Sequence, residues 1–296
     1  MRCLVTGGGG FIGSNLALEL EKKGHDVVVL DDFSAGSRKN LTSFSGGVLD
    51  VDCSRPFKTE GNFDAIFHQA AITDPRAPDD DETIRNNIEG FKLIIALARS
   101  QGAKLVYASS ASLYGHGAAP QQEDQDPDIL SAYARSKLMM DQMAAEFAKA
   151  MHIVGLRYFN VFGPNEAHKG RPASMIYHLT KQMRAGKRPK LFYDGTQKRD
   201  HIYVKDCVQA NLCALDAPSG VYNVGTGVAT SFNDVVKYIN KALGTQFEPE
   251  YIENPYKGTY QDHTQADISR AEEMLGFTAA YTTEQGILDY VPQLIF

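Results

Sequence analysis

Apolar and polar positions at the start of the chain follow the pattern of a strand, a tight turn and a helix. Residues 2–6 form an apolar run that ends in four consecutive glycines, and residues 11–23 carry apolar side chains at helical spacing up to Gly24. Residues 27–30 are an uninterrupted apolar run, which is typical of a strand buried on both faces of a parallel sheet. The pattern predicts a βαβ unit.

The alternation continues to about Gly163. It predicts further buried strands at residues 47–49, 65–67, 105–108 and 153–156, and long helices at residues 83–100 and 132–151. Strands that alternate with helices indicate an α/β fold, a doubly wound parallel sheet of the Rossmann type with helices on both faces.

After Gly163 the pattern changes to helices and short strands separated by Gly/Pro turns, which indicates a smaller C-terminal α/β domain. We predict an NAD(P)-binding Rossmann domain over residues 1–163 and a substrate-binding domain over residues 164–296. We expect the chain to return to the Rossmann domain near residues 200–216.

Composition narrows the function classes. The 296 residues contain 30 Lys+Arg against 36 Asp+Glu, so no excess of positive charge points to nucleic acid or an anionic membrane surface as a partner. No apolar run approaches the ~18 residues that span a bilayer, and the first strand follows Met1 with no room for a signal peptide. We expect a cytoplasmic protein with no membrane partner.

Cysteines and acidic residues give no metal-binding pattern. Four cysteines lack CxxC pairing and histidines at zinc-ligand spacing, so we predict small buried thiols in a reducing compartment and no metal site. The acidic residues 79–82 directly precede a predicted helix, where carboxylates favour the positive end of the helix dipole.

The glycine turn predicts a dinucleotide site. Gly7, Gly10 and Gly13 form G-x-x-G-x-x-G between a strand and a helix, which lets the backbone approach a pyrophosphate held by the helix N-terminus. Asp31-Asp32 ends the next strand at the spacing expected of a ribose-binding carboxylate, which favours NAD. Arg38 and Lys39 follow closely and keep NADP possible.

A second constellation predicts proton transfer. Tyr133 and Lys137 lie at i and i+4 on one face of a predicted helix, and a nearby cation favours phenolate by lowering the tyrosine pKa. Ser110 lies in Ser109-Ser110-Ala111-Ser112-Leu113-Tyr114-Gly115, which follows another strand.

With these motifs the chain resembles the extended short-chain dehydrogenase/reductases of the nucleotide-sugar epimerase/dehydratase family, from Arg2 to about Phe277. The resemblance implies that Tyr133 is the acid/base, that Lys137 also holds the nicotinamide ribose and that Ser110 hydrogen-bonds the reacting oxygen. It implies a homodimer that packs the two long predicted helices against their symmetry mates. Met139, Met140, Met143 and Met151 belong either to that bundle or to the monomer core.

The resemblance also assigns residues along the cofactor, with Asn87 supporting the catalytic loop. The implied cofactor residues are Gly7, Gly10, Phe11, Ile12, Gly13, Asp31, Asp32, Asp50, Val51, Ala70, Ala71, Asn87, Lys137 and Val161.

The same resemblance implies a nucleotide-diphospho-sugar as substrate, oxidised transiently to a keto-sugar. The implied substrate contacts are Asn160, Arg171, His178, Arg199 and Tyr260, with Arg199 directed at the diphosphate. Family dehydratases carry an acidic pair where this chain has Ala111 and Ser112, which disfavours dehydration.

Two segments indicate which epimerase is most similar. His168-Lys169-Gly170 and residues 258–267 most resemble ADP-glyceromanno-heptose 6-epimerases, which implies that Lys169 is a second acid/base. Inversion requires hydride return to the opposite face of the ketone, either after reorientation or with protons supplied from two positions. The alternative is that Lys169 binds a phosphate or lies on a solvated loop.

Other features favour a UDP-hexose 4-epimerase as the alternative function. The loop after Asp31-Asp32 resembles NAD-using enzymes of that type, and residues 72–75 match the heptose enzymes poorly. Nine basic residues against one acid between Lys169 and Arg199 suit an anionic diphosphate in either case. A non-catalytic sensor is expected to have lost Tyr133, Lys137 or Ser110, and all three are present.

Overall fold

The computed structural model of the protein describes residues 1–74, 79–254 and 261–296. Its first half alternates strands and helices, as predicted. These elements are β1 (Arg2–Thr6), α1 (Phe11–Lys22), β2 (Asp26–Leu30), β3 (Gly47–Leu49), β4 (Ala65–His68), α2 (Asp80–Gln101), β5 (Lys104–Ser110), α3 (Ala132–Phe147) and β6 (Ile153–Tyr158).

The second half contains shorter elements. They are β7 (Asn160–Phe162), α4 (Met175–Arg184), β8 (Lys190–Phe192), β9 (Lys198–Tyr203), α5 (Val204–Cys213), β10 (Gly220–Val224), β11 (Ala229–Ser231), α6 (Phe232–Leu243), β12 (Glu250–Ile252) and α7 (Thr283–Tyr290).

Seven strands form one parallel sheet in the order β10-β6-β5-β4-β1-β2-β3. The strand order reverses between β1 and β4, where Thr6 and His68 are paired in register at the carboxyl ends of the two strands. A doubly wound sheet opens a crevice at this point, and ligands bind there. The predicted fold class is confirmed.

Two small sheets complete the structure. In the first, β9 lies between β11 and β7, antiparallel to β11 and parallel to β7; in the second, β12 pairs with β8. Meanwhile α5 packs against α1, and β10 joins the edge of the large sheet. The chain therefore crosses between the two parts more than once, and the boundary at residue 163 stays a prediction.

Apolar side chains cover both faces of the large sheet. One face packs on α1 and α5 and the other on α2 and α3. Met140 is fully buried in the second cluster, and Met139, Met143 and Met151 are half-buried against it. These four methionines therefore contribute to the core of the monomer.

The acidic residues before α2 cap that helix, as predicted. Asp79 is the N-cap and accepts a 2.8 Å hydrogen bond from the Glu82 main-chain N–H, while Asp80 and Asp81 lie in the first turn. Their negative charge offsets the positive end of the helix dipole.

All four cysteines are free thiols, but only two are buried as predicted. Cys3 and Cys207 are buried, whereas Cys53, in the segment after β3, and Cys213, the last residue of α5, are half-buried. Burial raises the pKa of Cys3 to about 11 and that of Cys53 to about 12, so both stay protonated. The described ranges contain no group of three or more His, Cys, Asp or Glu side chains placed to hold a metal ion.

No helix in the described part of the chain is long and apolar enough to cross a membrane.

Candidate active site

The turn between β1 and α1 leaves room for a ligand only because of its glycines. Gly7 has a φ of +67°, and a Cβ there would lie 2.6 Å from the Ala70 nitrogen. A Cβ on Gly13 would lie 2.1 Å from the Gly7 oxygen. The N-cap of α1, Gly10, has no side chain to bond the first-turn N–H groups. The N–H groups of Phe11, Ile12 and Gly13 therefore suit a phosphate, so the turn fits a dinucleotide.

The two acids that end β2 have different environments. Asp31 is buried and accepts 2.8 Å hydrogen bonds from the main-chain N–H groups of Gly9 and Phe33. Burial raises the pKa of Asp31, and these hydrogen bonds oppose that rise. Asp32 is exposed and bonds Ser34 within its own turn. Only Asp31 faces the glycine turn.

The positive charge of Arg38, one of the two residues that keep NADP binding possible, is partly neutralised. The Arg38 guanidinium pairs with Asp50 and stacks on the Phe33 ring, 3.9 Å from its centroid. Asp50 and Val51 directly follow β3, and Val51 packs against the cluster between the sheet and α2.

The loop after β4 is tied to both neighbouring elements. Ala70 lies against Gly7, and its N–H is 3.4 Å from Thr6 Oγ1, which is 2.7 Å from His68 Nδ1. Burial lowers the pKa of His68 to about 3, so its ring is neutral. Ala71 follows, and the next residue, Ile72, is held by Asn87.

Asn87 connects the loop after β4 to α3. Its Oδ1 accepts from the Ile72 N–H at 2.8 Å, and its Nδ2 donates to the Ile72 carbonyl at 3.1 Å and to Ser136 Oγ at 2.9 Å. Ser136 directly precedes Lys137. Asn87 therefore holds the loop and the helix that carries the predicted catalytic pair in one arrangement.

Ser110, Tyr133 and Lys137 come together at the carboxyl end of β5. Ser110 hydrogen-bonds the Tyr133 hydroxyl. Lys137 Nζ donates to the Ala108 carbonyl at 2.7 Å and lies 5.7 Å from the centroid of the Tyr133 ring. Lys137 is buried and Tyr133 half-buried. Ser131 caps α3 by accepting from the Ala134 N–H at 3.1 Å, which fixes the start of this helix.

The expected lowering of the Tyr133 pKa is wrong for the protein without ligands. Burial raises the pKa of Tyr133, and the hydrogen bond from Ser110 opposes the rise only in part. Burial also lowers the pKa of Lys137 to about 8, against a smaller opposite effect of Asp141. The two groups are neighbours as predicted, but desolvation is the largest cause of both pKa shifts.

Lys169 lies at the other side of the glycine turn. It ends the 3₁₀ turn Ala167–Lys169, is half-buried, and has its ammonium 5.3 Å from the centroid of the Phe11 ring. Burial lowers its pKa, and the carboxylates of Glu166 and Asp74 oppose that shift. The lysine is thus not on a freely solvated loop.

The predicted substrate residues fall into two pairs. Asn160 on β7 accepts from Thr264 Oγ1 at 3.2 Å, and Arg199 lies on the adjacent strand β9, buried with its guanidinium 5.8 Å from the Phe232 ring centroid. His178 Nε2 is 3.2 Å from the Arg171 carbonyl. Tyr260 lies outside the described residues. Val161, a predicted cofactor residue, is half-buried on β7.

Sequence reasoning missed a buried polar network behind α3. Asp141 accepts from the Tyr107 hydroxyl and from Arg157 Nε, both at 2.9 Å, and Arg157 Nη1 donates to the Tyr114 hydroxyl at 3.0 Å. The network joins the strand that ends in Ser110 to the helix that carries Lys137. Asp141 four residues after Lys137 was the available signal, because it shares the buried face of the helix.

A second missed group lies near Tyr133. Asn211 Nδ2 donates to the Tyr158 hydroxyl at 2.7 Å, and Gln69 Nε2 donates to Asn211 Oδ1 at 3.0 Å. Tyr158 lies close enough to Tyr133 for the two phenols to affect each other's titration. A third missed residue is Asn40, which contacts both the glycine turn and the segment before Lys169.

Comparison with known proteins agrees with this geometry. Residues 3–225 match the model of the NAD dependent epimerase/dehydratase family. The chain is 36% identical to an ADP-L-glycero-D-manno-heptose-6-epimerase of Alkalilimnicola ehrlichii, over 97% of this chain and 96% of that protein. It is 38% identical to the enzyme of the same name from Brachyspira hyodysenteriae, over 90% and 89% of the two chains.

Solved structures are similar over nearly the whole chain. The ADP-L-glycero-D-manno-heptose-6-epimerase of Helicobacter pylori superposes with a TM-score of 0.92 at 40% identity, covering 98% of this chain and 95% of that one. A UDP-glucose 4-epimerase of Thermotoga maritima with UDP-glucose superposes with a TM-score of 0.89 at 29% identity, covering 99% and 98%. A Thermus thermophilus UDP-glucose 4-epimerase complex with NAD gives 0.85 at 26% identity, covering 99% and 98%.

Proposed function

Because this chain belongs to the NAD-dependent epimerase/dehydratase family, we propose that it is the nucleotide-sugar epimerase that inverts C6 of an ADP-glyceromanno-heptose. The observation that supports this sugar is the similarity to heptose epimerases over nearly the full chain. The identity is 36% to the Alkalilimnicola ehrlichii protein and 40% to the Helicobacter pylori protein. The UDP-hexose enzyme from Thermotoga maritima is 29% identical.

In this proposal the residues around Ser110 handle the first proton. When held by the glycine turn, NAD would supply the hydride chemistry, namely removal of a hydride from the sugar carbon and its return to the opposite face of the ketone. Tyr133 takes the proton of the reacting hydroxyl, and Ser110, which bonds the Tyr133 hydroxyl, orients the reacting oxygen. Lys137, which donates to the Ala108 carbonyl, would also hold the nicotinamide ribose.

Lys169 is proposed to be the second acid/base, which gives or takes a proton at a position different from that of Tyr133. Support comes from its half-buried ammonium against Phe11, at the N-terminus of the helix that suits the cofactor phosphates. Burial lowers the Lys169 pKa, and an acid/base works best with a pKa near the working pH.

We propose that Arg199 binds the diphosphate. The rest of the nucleotide sugar would contact Asn160, Arg171, His178 and Tyr260. Arg199 is 7% exposed, and a buried guanidinium forms strong paired hydrogen bonds with phosphate oxygens. The other four assignments rest on the family resemblance.

We propose NAD as the physiological cofactor. Asp31 is a buried carboxylate at the glycine turn and would repel a 2′-phosphate, and Arg38 is already paired with Asp50. Binding titrations should give an affinity for NAD at least about tenfold above that for NADP, a difference of roughly 1.4 kcal/mol. Equal affinities would argue against this choice.

The second candidate is a UDP-hexose 4-epimerase, favoured by the pairing of Arg38 with Asp50, which partly neutralises one of the two cations that would suit the 2′-phosphate of NADP. Dehydration is disfavoured, because Ala111 and Ser112 provide no carboxylate after Ser110. Both candidates use the same Ser110, Tyr133 and Lys137.

The deciding experiment incubates the purified protein with ADP-D-glycero-D-manno-heptose and, separately, with UDP-glucose, and follows inversion by proton NMR. We expect inversion at C6 of the heptose only. Inversion at C4 of the hexose in place of C6 of the heptose would assign the second function. Tyr133→Phe serves as the control, since it should abolish either reaction while NAD still binds.

We also propose a cytoplasmic homodimer in which α2 and α3 pack against their symmetry mates. The two helices lie side by side on one face of the large sheet, so both can enter one bundle with a second copy. Light scattering during size-exclusion chromatography tests the dimer, with a monomer mass of 32.5 kDa as the reference.

A further inference from the structure

The main-chain N–H and the main-chain carbonyl of Gly9, inside the glycine turn, are both hydrogen-bonded. Its N–H donates to Asp31 Oδ2 at 2.8 Å. Its carbonyl accepts from the Ser37 N–H at 2.8 Å and from Asn40 Nδ2 at 3.0 Å. Asn40 lies in the 3₁₀ turn Arg38–Leu41 and so belongs to the structural support of the cofactor turn, although it is 31 residues away in sequence.

The same Asn40 amide reaches the segment that precedes Lys169. Its Nδ2 lies 3.2 Å from the Asn165 carbonyl and 3.0 Å from His168 Nδ1. Burial lowers the pKa of His168, and a hydrogen bond with the Asn165 carbonyl opposes that shift. With its proton on Nε2 the neutral ring accepts at Nδ1 from the Asn40 amide, whose two N–H groups are shared among this nitrogen and the carbonyls of Gly9 and Asn165. One side chain therefore bridges Gly9 and the residue next to Lys169.

The segment around His168 has a well-defined conformation that such a contact can orient. Asn165 has a φ of +71° and Gly170 a φ of +62°, so the backbone turns sharply on both sides of the 3₁₀ turn. The Lys169 N–H donates to the Glu166 carbonyl at 3.0 Å. The Glu166 carboxylate is fully buried and accepts from the Ser174 N–H at 2.6 Å.

Two further asparagine contacts attach the start of this segment to α1. Asn15 Nδ2 donates to the Pro164 carbonyl at 2.9 Å, and Asn165 Nδ2 donates to Ser14 Oγ at 3.1 Å. These contacts hold residues 164–165, whereas the hydrogen bond to His168, the neighbour of Lys169, comes from Asn40. Asn40 is therefore the contact that sets the end of the segment where the lysine lies.

We propose that Asn40 is a positioning residue that couples the cofactor turn to Lys169. A dinucleotide that orders the Gly9 peptide also orders Asn40, and Asn40 in turn holds His168 and with it the Lys169 ammonium near Phe11. The second proton position is then set only when the cofactor turn is in its binding conformation. This inference rests on the proposed role of Lys169 in the proposed function.

Asn40→Asp is the sharpest test of the coupling, because aspartate has the same shape but no N–H to donate to Gly9 or Asn165. Asn40→Ala removes the bridge altogether. Asn240→Ala is the matched control, since Asn240 on α6 also bonds backbone, donating to the Phe247 carbonyl at 2.9 Å and accepting from the Phe247 N–H at 2.8 Å.

The first readout is hydrogen–deuterium exchange with and without NAD, which requires no turnover. In the wild type and in Asn240→Ala, NAD should slow exchange both in residues 7–14 and in residues 165–170. In Asn40→Asp and Asn40→Ala, protection of residues 7–14 should remain while that of residues 165–170 is lost. Unchanged protection of residues 165–170 in both Asn40 variants, or its absence in the wild type, would overturn the proposal.

The second readout is kinetic. With the heptose substrate, Asn40→Ala should lower kcat roughly 10–100-fold, as expected for a misplaced catalytic group, and change the NAD dissociation constant by less than about threefold, because the Ser37 N–H still bonds the Gly9 carbonyl. Lys169→Ala measured in parallel separates the possible failures. A wild type without C6 inversion contradicts the proposed function, and the exchange experiment still decides on the coupling. An inactive Lys169→Ala beside a fully active Asn40→Ala contradicts the positioning role alone.

Discussion

Lys137 Nζ donates a 2.7 Å hydrogen bond to the main-chain carbonyl of Ala108, so the ammonium is held by the strand that leads to Ser110. The side chain is only 1% exposed. Its only other acceptor among the described residues is the weakly accepting Met140 sulfur at 3.7 Å, and these two neutral acceptors do not replace the hydration of an ammonium group, so burial lowers the pKa of Lys137 to about 8. The burial of this charge opposes folding.

Lys137→Met should therefore stabilise the unliganded protein while abolishing turnover. At pH 7 the lysine is protonated in both the folded and the unfolded chain, so its burial opposes folding, and we expect a gain of about 1–2 kcal/mol in the variant. Above a pH of about 8 the folded lysine loses its proton, whereas the unfolded one keeps it up to its ordinary pKa of 10.5. The gain in unfolding free energy of Lys137→Met over the wild type should therefore become smaller above a pH of about 8.

Denaturant titrations at pH 7, 8 and 9 measure this difference. Lys149→Met, which changes an exposed lysine, is the control and should leave the unfolding free energy within about 0.5 kcal/mol of the wild type. A Lys137→Met variant that is less stable than the wild type at pH 7 would show that the hydrogen bond to Ala108 outweighs the burial of the charge.

Ser110 is expected to act on the pKa of Tyr133. The hydrogen bond from Ser110 lowers a tyrosine pKa that burial has raised, so Ser110→Ala should raise it further. Where turnover needs the Tyr133 phenolate, the rise of kcat with pH should move to higher pH in this variant, with a loss of about 10²-fold or more at pH 7.

The pH profiles of kcat test this shift, with Ser112→Ala as control. Ser112 is two residues away, and its hydroxyl is buried without a hydrogen-bond partner among the described residues. A Ser110→Ala profile that is lower at every pH but not displaced would restrict Ser110 to orienting the substrate.

Six of the seven strands of the large sheet, all except β10, could be predicted from the sequence because their signals are local. The strand runs at residues 47–49 and 153–156 coincide with β3 and the first part of β6, and Asp79 caps α2 as its position before the helix suggested. Buried parallel strands form continuous apolar runs, and helices have a distinct period, so each element is visible in its own residues.

The interactions that the sequence did not reveal depend on tertiary packing. Asn40 is an ordinary turn residue in sequence, and its contact with His168 spans 128 positions. The spacing of Tyr133 and Lys137 correctly predicted their proximity, but not that desolvation raises the tyrosine pKa. Desolvation depends on how completely neighbouring elements cover a side chain, which no local pattern encodes.

Gly13→Ala should disrupt the cofactor turn. A Cβ at this position would lie 2.1 Å from the Gly7 carbonyl oxygen, a backbone atom that cannot move without opening the turn. We expect the unfolding free energy to fall by about 1–3 kcal/mol, as in other overpacked sites, and NAD binding to weaken beyond detection.

Gly90→Ala is the matched control for Gly13→Ala. Gly90 lies inside α2, and a Cβ there would be 3.5 Å from Cys53 Sγ, an ordinary contact. Alanine is the better helix former, so this variant should gain about 0.5–1 kcal/mol and bind NAD normally. Calorimetric titration with NAD and thermal unfolding measure both effects, and normal NAD binding by Gly13→Ala would remove the turn from the cofactor site.

His201 should determine part of the sensitivity of the fold to acid. Its ring is buried edge-on against Phe162 and Phe232, and neither ring nitrogen has a hydrogen-bond partner within the described residues. Burial lowers its pKa from 6.5 to about 3, with a smaller contribution from Arg199. As the pH falls below 6.5 the unfolded chain binds a proton at His201 that the folded chain does not bind until about pH 3, so stability falls over this window.

His201→Phe keeps an aromatic ring in the site and removes the proton uptake. The wild type should lose about 1.4 kcal/mol per pH unit more than the variant between roughly pH 6 and pH 4. Denaturant midpoints at pH 7, 6, 5 and 4 give the comparison, with His263→Phe, a change at an exposed position, as the control that should follow the wild type. Parallel curves for the wild type and His201→Phe would mean that His201 becomes protonated in the folded protein, and hence that water reaches a ring that the packing around Phe162 and Phe232 encloses.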